Sequence, residues 1–301
     1  MNRTPDAPRM AQTTLARAVT LSGRGAHGGK PARLTFSPCD ADAGVVFGVA
    51  GAAIPADWRR VDATRLRTRL AADGVQVSTV EHLLSALAGL GVDNALIDIE
   101  GDEIPAMDGS AAAFVAALDE AGIEELFAPR SFWRVMAPVR VADGAGWAEL
   151  APAQSGLHLD VEIAFEGPIG RQRLALDLTP ATFRRDLARA RSFGFLRDAE
   201  RLWRAGLAIG ATLDNTVVLD GDSVLNPEGL RFADEFVRHK MLDVVGDLAL
   251  AGAPIVGAFR SYRGGHALNL ALLEKAMRAG ALERCGGRGL ARRRAGLSAS
   301  P

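Results

Sequence analysis

The chain of 301 residues has little cysteine, few aromatic residues and no excess of charge of either sign. Its two cysteines, Cys39 and Cys285, lie far apart and form no CxxC motif, so they build neither a disulfide framework nor a thiolate zinc site. The 35 basic and 36 acidic residues give a net charge of −1, which provides no basic field for polyanions. The sequence therefore favours a reducing, cytoplasmic location and argues against nucleic acid as a partner.

Long apolar runs are also missing. Residues 1–25 mix arginine and aspartate with polar residues and contain no apolar run of signal-peptide length. The longest apolar stretch, 248–258, is interrupted by Gly252 and Pro254 and is shorter than the roughly 20 residues of a membrane-spanning helix. We expect neither an export signal nor a membrane span.

The residues that are present predict a globular protein with two domains. A hydrophobic content of 48% is sufficient for a buried core, and domains average roughly 150 residues. Short apolar segments between turn residues predict strands over 32–36 and 44–49. Apolar residues then recur at helical spacing from Ser78 to Gly91. A strand over 94–100 and a helix over 110–120, capped by Ser110, follow.

The second half of the sequence repeats this order of elements without a residue-level repeat. The segment 124–134 has no clear period, and we place the domain boundary there, which gives domains of 1–128 and 129–279. Residues 280–301 are rich in glycine, alanine and arginine, a composition that predicts a disordered tail. The second domain is predicted to have strands over 133–142, 147–151, 157–165, 211–219 and 255–262, and helices over 180–190 and 232–250.

Only five histidines are available for metal binding or acid–base chemistry. His158 alternates with apolar neighbours, so we interpret it as an ordinary strand residue. On the predicted long helix, His239, Asp243 and Asp247 follow one another at intervals of four residues, opposite the main apolar stripe. An imidazole and a carboxylate on successive turns suit a shared Zn²⁺, but the spacing alone favours a solvated surface pair.

A second candidate is the pair Glu81-His82 at the start of the first predicted helix. Ser78 and Glu81 have the spacing of a capping box, which on local grounds favours a capping role for Glu81. His82 points away from the apolar stripe of its own helix. If that face meets the long helix, His82, His239 and Asp243 form the three-ligand open set of a catalytic zinc, with Glu81 beside the bound water as a base.

Four long strings then carry a resemblance to a known family: VEHLLSALAGLGVDNALIDIEGDEIPAMDGSAAAF, RARSFGFLRDAE, VLNPEGLRFADEFVRHKMLDVVGDLALAG and GGHALN. They are similar to the zinc-dependent UDP-3-O-acyl-N-acetylglucosamine deacetylases of bacterial lipid A biosynthesis, from about residue 12 to about residue 275. The resemblance implies an α+β fold of two similar domains, packed as a sheet/helix/helix/sheet sandwich. It agrees with the repeated order of elements.

The resemblance also implies roles for individual residues. It makes His82, His239 and Asp243 the ligands of one Zn²⁺ per chain and Glu81 the general base. His266 matches the general acid or electrostatic partner. The remaining matches are Asp247 and Ser192 in catalysis, with Ser192 donating to the tetrahedral oxyanion, and Lys240, Phe193 and Arg263 in substrate binding.

This sequence departs from the family pattern at three places. Ser192 stands where the family commonly has threonine, and the hydroxyl survives. Arg263 stands where a lysine often precedes the Gly-His pair, and it keeps a positive charge that suits a diphosphate. The family's G-L-H-T-G string is GAHGG here, which leaves the role of His27 open.

The reaction implied is hydrolysis of the N-acetyl amide of UDP-3-O-[(R)-3-hydroxyacyl]-N-acetylglucosamine, by a monomeric cytoplasmic enzyme. The apolar groove for the acyl chain is expected in the region 165–195. Two alternatives are a zinc amidohydrolase that acts on another N-acetyl sugar and a nucleotide-sugar-binding protein with a structural metal. The three-ligand open set with Glu81 beside it argues against the binding protein.

Overall fold

A computed structural model describes residues 10–286 of the chain and has a mixed α+β architecture. The helices within this range are α1 (Glu81–Leu90), α2 (Ala112–Ala121), α3 (Pro180–Thr182), α4 (Ala199–Arg204), α5 (Glu235–Ala249) and α6 (His266–Arg278). The strands are β1 (Ala11–Leu15), β2 (Val19–Arg24), β3 (Pro31–Ser37), β4 (Val45–Val49), β5 (Ala52–Pro55), β6 (Val61–Ala63), β7 (Arg69–Ala72), β8 (Val75–Ser78), β9 (Ala95–Glu100), β10 (Ile123–Pro129), β11 (Ser131–Val135), β12 (Val139–Asp143), β13 (Gly146–Ala151), β14 (Leu157–Ala164), β15 (Arg171–Asp177), β16 (Phe193–Phe195), β17 (Val217–Asp220), β18 (Ser223–Val224), β19 (Ile255–Tyr262) and β20 (Leu282–Gly286).

The two halves build their main sheets on the same plan. In the first half the strand order is β2-β3-β9-β4-β5, with β9 antiparallel to β3 and parallel to β4. In the second half β12-β13-β19-β14-β15 has the same order, with β19 antiparallel to β13 and parallel to β14. The repetition that the order of elements predicted is therefore present in the strand pairing, and β11 and β20 extend the second sheet.

Helices α1 and α5 are equivalent elements that pack against each other between the sheets. Both are buried on nearly every side: nine of the ten residues of α1 are buried, and so are twelve of the fifteen residues of α5. Gly246 lets the two backbones touch, because a Cβ atom there would lie 2.0 Å from the Glu81 carbonyl oxygen. Ser85 Oγ also donates a hydrogen bond to the Leu242 carbonyl at 2.9 Å. This contact joins the halves at the level of the candidate site.

Most predicted elements are confirmed, with small shifts at their ends. The strands predicted over 32–36, 44–49 and 94–100 correspond to β3, β4 and β9, and those over 147–151, 157–165 and 255–262 to β13, β14 and β19. The helix predicted over 180–190 is one α-helical turn, α3, that continues as a π-helical turn. The helix α2 begins two residues later than predicted and has Ala111 at its N-cap. Ser110 is therefore not its capping residue, although Ser110 Oγ accepts the Ala112 amide at 3.1 Å.

Four predicted segments are wrong in part. The strand predicted over 133–142 is divided into β11 and β12 by residues 136–138. The strand over 211–219 is limited to β17, because Asn215 closes a turn by accepting the Thr212 amide and donating to the Gly210 carbonyl. The aperiodic segment 124–134 contains most of β10, whose residues are exposed or half-buried and which pairs with the largely buried β1. It also contains most of β11. The tail predicted from residue 280 includes β20, which pairs with β11 and buries Leu282. Residues 287–301 of that tail lie outside the described residues.

The domain boundary at 128/129 remains a prediction, and residue 128 lies within β10. Over residues 10–286, no helix has the length and apolar character needed to cross a membrane.

Candidate metal centre

The pair Glu81-His82 lies at the first turn of α1, directly after β8. Thr79 has a φ of +62°, an uncommon conformation for a residue with a branched side chain, and it turns the chain sharply from the strand into the helix. The capping box predicted from Ser78 and Glu81 does not form. Glu81 is itself the first helical residue, and its Oε2 accepts the Thr68 amide at 3.0 Å. The carboxylate is therefore bound by the Thr68 amide and takes no part in a capping box with Ser78.

The face of His82 that turns away from its own apolar stripe meets α5. The His82 and His239 rings pack edge to face with centroids 5.0 Å apart. Asp243 Oδ1 lies 3.4 Å from His82 Nε2 and 3.5 Å from His239 Nε2. One ligand atom from each of these three residues lies within 4.8 Å of the other two, and all three residues are buried. The structure thus brings the predicted ligand set together from both halves.

The chemistry of this group fits a cation. Asp243 Oδ1 is buried and has no hydrogen-bond partner, although it lies between two imidazole nitrogens. Burial lowers the pKa of His239 to about 4, so its ring is neutral, and its Nδ1 lies 3.2 Å from the Ala190 carbonyl, which leaves Nε2 free to bind. Burial alone would raise the pKa of Asp243, but Lys240, His239 and His266 hold it well below its usual value. A neutral imidazole and an ionised carboxylate are the forms that bind metals.

Glu81 is a buried carboxylate next to this group. Burial raises its pKa, and the nearby His266 and His82 only partly oppose that effect. Glu81 Oε1 lies 4.0 Å from His266 Nε2. A carboxylate with a raised pKa at this position is a stronger base than an exposed one.

His266 begins α6 and is oriented by Asp247. Its Nδ1 lies 2.9 Å from Asp247 Oδ2, and its Nε2 lies 3.9 Å from Asp243 Oδ2. Burial would lower the pKa of His266, but the carboxylates of Asp247, Asp243 and Glu81 outweigh it and raise the pKa to about 9. The ring is therefore protonated at neutral pH and able to donate a proton.

Lys240 extends the charged network at the edge of the centre. Its Nζ donates to Asp243 Oδ2 at 2.7 Å, the carboxylate oxygen opposite the one that faces the two histidines. Burial would lower the pKa of Lys240, but Asp243, Asp247 and Glu81 raise it. The ammonium group is therefore charged at neutral pH.

Ser192 and Phe193 lie on the strand segment that packs beside His239. Ser192 is held to Gly109 by its amide, at 2.8 Å, and by its hydroxyl, at 3.2 Å. The Phe193 ring contacts His239, with centroids 6.0 Å apart, and also Phe165 and Phe236. Phe193 thus forms an apolar wall next to His239, one of the predicted metal ligands.

Arg263, the third predicted substrate contact, is exposed in the turn before α6. It has a φ of +50°, and its amide donates to the Glu162 carbonyl at 2.9 Å. The roles of Arg263, Ser192 and Phe193 toward substrate stay predictions.

Sequence reasoning missed three residues that support the centre. Thr68 links the halves, because its amide binds Glu81 and its hydroxyl donates to Asp247 Oδ1 at 2.7 Å. Asn269 donates to Asp247 Oδ2 at 2.9 Å. Asn269 follows His266 by three residues, so helical spacing could have found it. An isolated glycine inside the long helix, Gly246, was likewise a sign of close backbone approach. Nothing local marks Thr68.

Comparison with known proteins agrees with this geometry. A family model described as UDP-3-O-acyl N-acetylglycosamine deacetylase matches residues 12–278, a range that contains every predicted site residue. The chain is 51% identical over 264 residues to proteins named UDP-3-O-acyl-N-acetylglucosamine deacetylase from Brucella ovis, Brucella abortus and Brucella melitensis. Each alignment covers 86% of this chain and 92% of the relative. The chain therefore belongs to the UDP-3-O-acyl N-acetylglycosamine deacetylase family.

Proposed function

We propose that this chain hydrolyses the N-acetyl group of UDP-3-O-[(R)-3-hydroxyacyl]-N-acetylglucosamine, releasing acetate and the free 2-amine, in lipid A biosynthesis. The observation that carries the proposal is the buried group of His82, His239 and Asp243, with a basic carboxylate and a protonated histidine on its border. The family match over residues 12–278 supports the same reaction.

Zinc is the metal that we propose for this group. Two imidazole nitrogens and one carboxylate oxygen are typical ligands of catalytic Zn²⁺, with a further position left for water or substrate. Bound Zn²⁺ supplies a Lewis acid for the amide carbonyl and lowers the pKa of water toward about 7. His82 and His239 would bind through Nε2, because His239 uses its other ring nitrogen on the Ala190 carbonyl.

Glu81 acts as the general base in this mechanism. It accepts a proton from the attacking water, and its raised pKa improves that step. The Thr68 amide keeps the carboxylate in place through Oε2 and leaves Oε1 on the side of His266. Ser192, whose hydroxyl donates to the Gly109 carbonyl in this structure, would turn that donor to the substrate carbonyl oxygen as that oxygen becomes negatively charged.

His266 acts as the general acid. Its Nδ1 is engaged by Asp247, so the proton on Nε2, the nitrogen that faces Glu81 and Asp243, is the one available to the leaving amine. Asp247 stabilises the imidazolium and, through Thr68 and Asn269, is itself fixed to both halves. Protonation turns the nitrogen into a better leaving group when the C–N bond breaks.

The remaining predicted residues serve the substrate. Lys240 and Arg263 provide positive charge for the UDP diphosphate. The Phe165 ring packs against Phe193 and Phe195, with centroids 5.5 Å and 6.4 Å away, and the three rings form one apolar group at the edge of the centre. We assign the acyl chain to this group. A monomer in the cytoplasm is part of the proposal, and the two free cysteines, Cys39 and Cys285, are compatible with that compartment.

The decisive test compares the acylated UDP-sugar with UDP-N-acetylglucosamine as substrates of the purified zinc-loaded protein. The proposal predicts efficient deacetylation of the acylated substrate only, because the unacylated sugar makes no contact with the apolar group. Equal turnover of both substrates would favour an amidohydrolase for another N-acetyl sugar.

A further inference from the structure

The loop between β2 and β3 carries a buried histidine that the proposed mechanism does not use. His27 is only 8% exposed. The loop around it is held by Glu103, whose carboxylate accepts the His27 amide at 2.8 Å, the Gly28 amide at 2.7 Å and the Thr79 hydroxyl at 3.1 Å. A Cβ atom at Gly25 would lie 2.2 Å from Glu103 Oε2, so the loop fits tightly around this carboxylate. The main chain at His27 is therefore fixed to the first half.

The same residue is bonded to a segment of the second half. The Ala208 amide donates to His27 Nδ1 at 3.2 Å, and the Ile209 amide donates to the His27 carbonyl at 3.1 Å. The Gly210 amide donates to the Ala26 carbonyl at 3.0 Å. A Cβ atom at Gly210 would lie 2.2 Å from the Gly25 carbonyl oxygen, so the two backbones are in contact.

The ring of His27 is neutral and has one tautomer. Burial, together with the charge of Arg67, lowers its pKa to about 4, although Glu103 opposes that shift. Because Nδ1 accepts the Ala208 amide, the proton of the neutral ring is on Nε2. The Leu66 backbone lies close enough to the ring to raise its pKa slightly against the effect of burial. The ring thus bridges Leu66 of the first half, whose backbone it lies near, and Ala208 of the second, whose amide it binds.

Both residues at the ends of this bridge have unfavourable backbone conformations. Leu66 has a φ of +60° and Ala208 a φ of +56°, and neither is glycine. Such conformations persist only where the surroundings impose them. Leu66 lies two residues before Thr68, which binds Glu81 and Asp247. The bridge therefore begins beside the candidate catalytic centre.

At its other end the bridge fixes an apolar surface. Trp203 Nε1 donates to the Ala208 carbonyl at 3.1 Å, which ties α4 to the same point. The segment 196–213 carries four large apolar side chains that are exposed, and it follows directly after Phe195 of the aromatic group. These side chains are Leu196 (45% exposed), Trp203 (54%), Ile209 (57%) and Leu213 (41%).

We propose that His27 is a positioning residue that fastens the segment 196–213 to the first half and thereby fixes the wall along which the acyl chain binds. It touches no reacting atom. The effect on substrate rests on the proposed function, whereas the fastening itself does not. Two substitutions test the two ring nitrogens separately. His27→Asn keeps a hydrogen-bond acceptor at the place of Nδ1. His27→Gln keeps a donor near the place of Nε2 but has no acceptor at the place of Nδ1.

The fastening is tested by limited trypsin digestion of the full-length protein, with cleavage followed after Arg197, Arg201 and Arg204 in the segment. His27→Ala and His27→Gln lose the bond to the Ala208 amide, and we expect cleavage to accelerate about fivefold, the ratio that corresponds to one net hydrogen bond. His27→Asn is expected to digest like the parent protein. His158→Ala, on β14, is the matched control and should also digest like the parent.

The substrate effect is tested by steady-state kinetics with long-acyl and short-acyl UDP-sugars. His27→Ala should raise KM for the long-acyl substrate about fivefold with little change in kcat, should change KM for the short-acyl substrate less, and should be rescued by Asn. Parent-like digestion of His27→Ala, or Asn behaving as Ala, would overturn the fastening. Faster digestion with equal KM changes for both substrates would overturn its role in acyl binding. A failure of the proposed reaction itself would instead appear in the parent protein.

Discussion

The two halves of the molecule share one sheet plan but contribute different parts of the centre. In the first half the short sheet β6-β7-β8 is inserted before α1, and it supplies Thr68 and the sharp turn that places Glu81 and His82 at a helix start. In the second half a longer segment precedes α5 and supplies the strand with Ser192 and Phe193. Neither half alone holds His82, His239 and Asp243. This candidate metal group is therefore a product of the packing of two equivalent helices, α1 and α5.

The halves also stabilise their site loops with different chemistry. The buried carboxylate of Glu103 accepts only neutral donors, namely two amides and a hydroxyl. The buried carboxylate of Glu235 faces Arg191, which is 1% exposed, and binds its amide and guanidinium just before Ser192. Removing one partner of a buried charged pair costs more stability than removing one partner from a set of hydrogen bonds with neutral donors, because the remaining charge stays buried and unpaired.

The largest effect is expected at the base, which belongs to the first half. Glu81→Gln keeps the size of the side chain but cannot accept a proton, so kcat should fall by about 10² to 10⁴. Metal content should remain that of the parent, because Glu81 is not a ligand. Near-normal turnover of this variant would show that Glu81 has only a structural role. The first half would then contribute only the proposed metal ligand His82 to the centre.

The proposed acid, His266, belongs to the second half, and the pH dependence of the rate distinguishes its role from that of the proposed base. Glu81 must be ionised, so the rate at low substrate falls as pH drops through its raised pKa; His266 must be protonated, so the rate falls as pH rises past about 9. His266→Ala should lower the rate about 10²-fold, the low end for a general acid, and remove the alkaline limb. The acid limb should stay in place. An alkaline limb that coincides with that of the parent would remove His266 from the mechanism.

The two buried carboxylates provide a matched pair for stability. Glu235→Gln leaves Arg191 buried with only the partly exposed Glu228 as a charged partner, and we expect a loss of about 3 to 5 kcal/mol in the free energy of unfolding. Glu103→Gln loses bonds to neutral donors and should cost about 1 to 2 kcal/mol. Urea denaturation of both variants measures the difference. Equal losses would show that the halves do not differ in this respect.

The smallest effect is expected at Arg263, an exposed contact outside the buried network. Arg263→Ala should raise KM about tenfold through the loss of one charge-assisted contact to the diphosphate, while kcat changes little. Arg263→Lys keeps the charge and should retain most of the affinity. An unchanged KM in the alanine variant would assign the diphosphate to other cations.

The periodicity of apolar residues predicted the helices. It also placed His239, Asp243 and Asp247 on one face of α5, because these residues follow one another at intervals of four. It likewise placed His82 opposite the apolar stripe of its own helix, but it left open whether that face meets the long helix. It could not predict the bridges made by Thr68 and His27, because these depend on contacts between distant segments. The capping box failed for the same reason: the Thr68 amide, 13 residues upstream, competes for the Glu81 carboxylate.

The error at β20 has a different origin. The strand lies at the edge of the second sheet, where only the first residue of Leu282–Gly286 is buried. Its glycine and arginine content therefore looked like that of a tail. Its backbone hydrogen bonds come from pairing with β11. No alternating apolar pattern in the sequence marks this strand.

The claim that the centre requires one ligand set shared by both halves is tested most directly by metal analysis of His82→Ala and His239→Ala. Each variant removes a ligand from a different half, and His158→Ala serves as a control away from the centre. We expect the parent and the control to purify with one zinc per chain, and both ligand variants to lose zinc while their circular dichroism remains that of the parent. Undiminished zinc in both ligand variants would contradict the account.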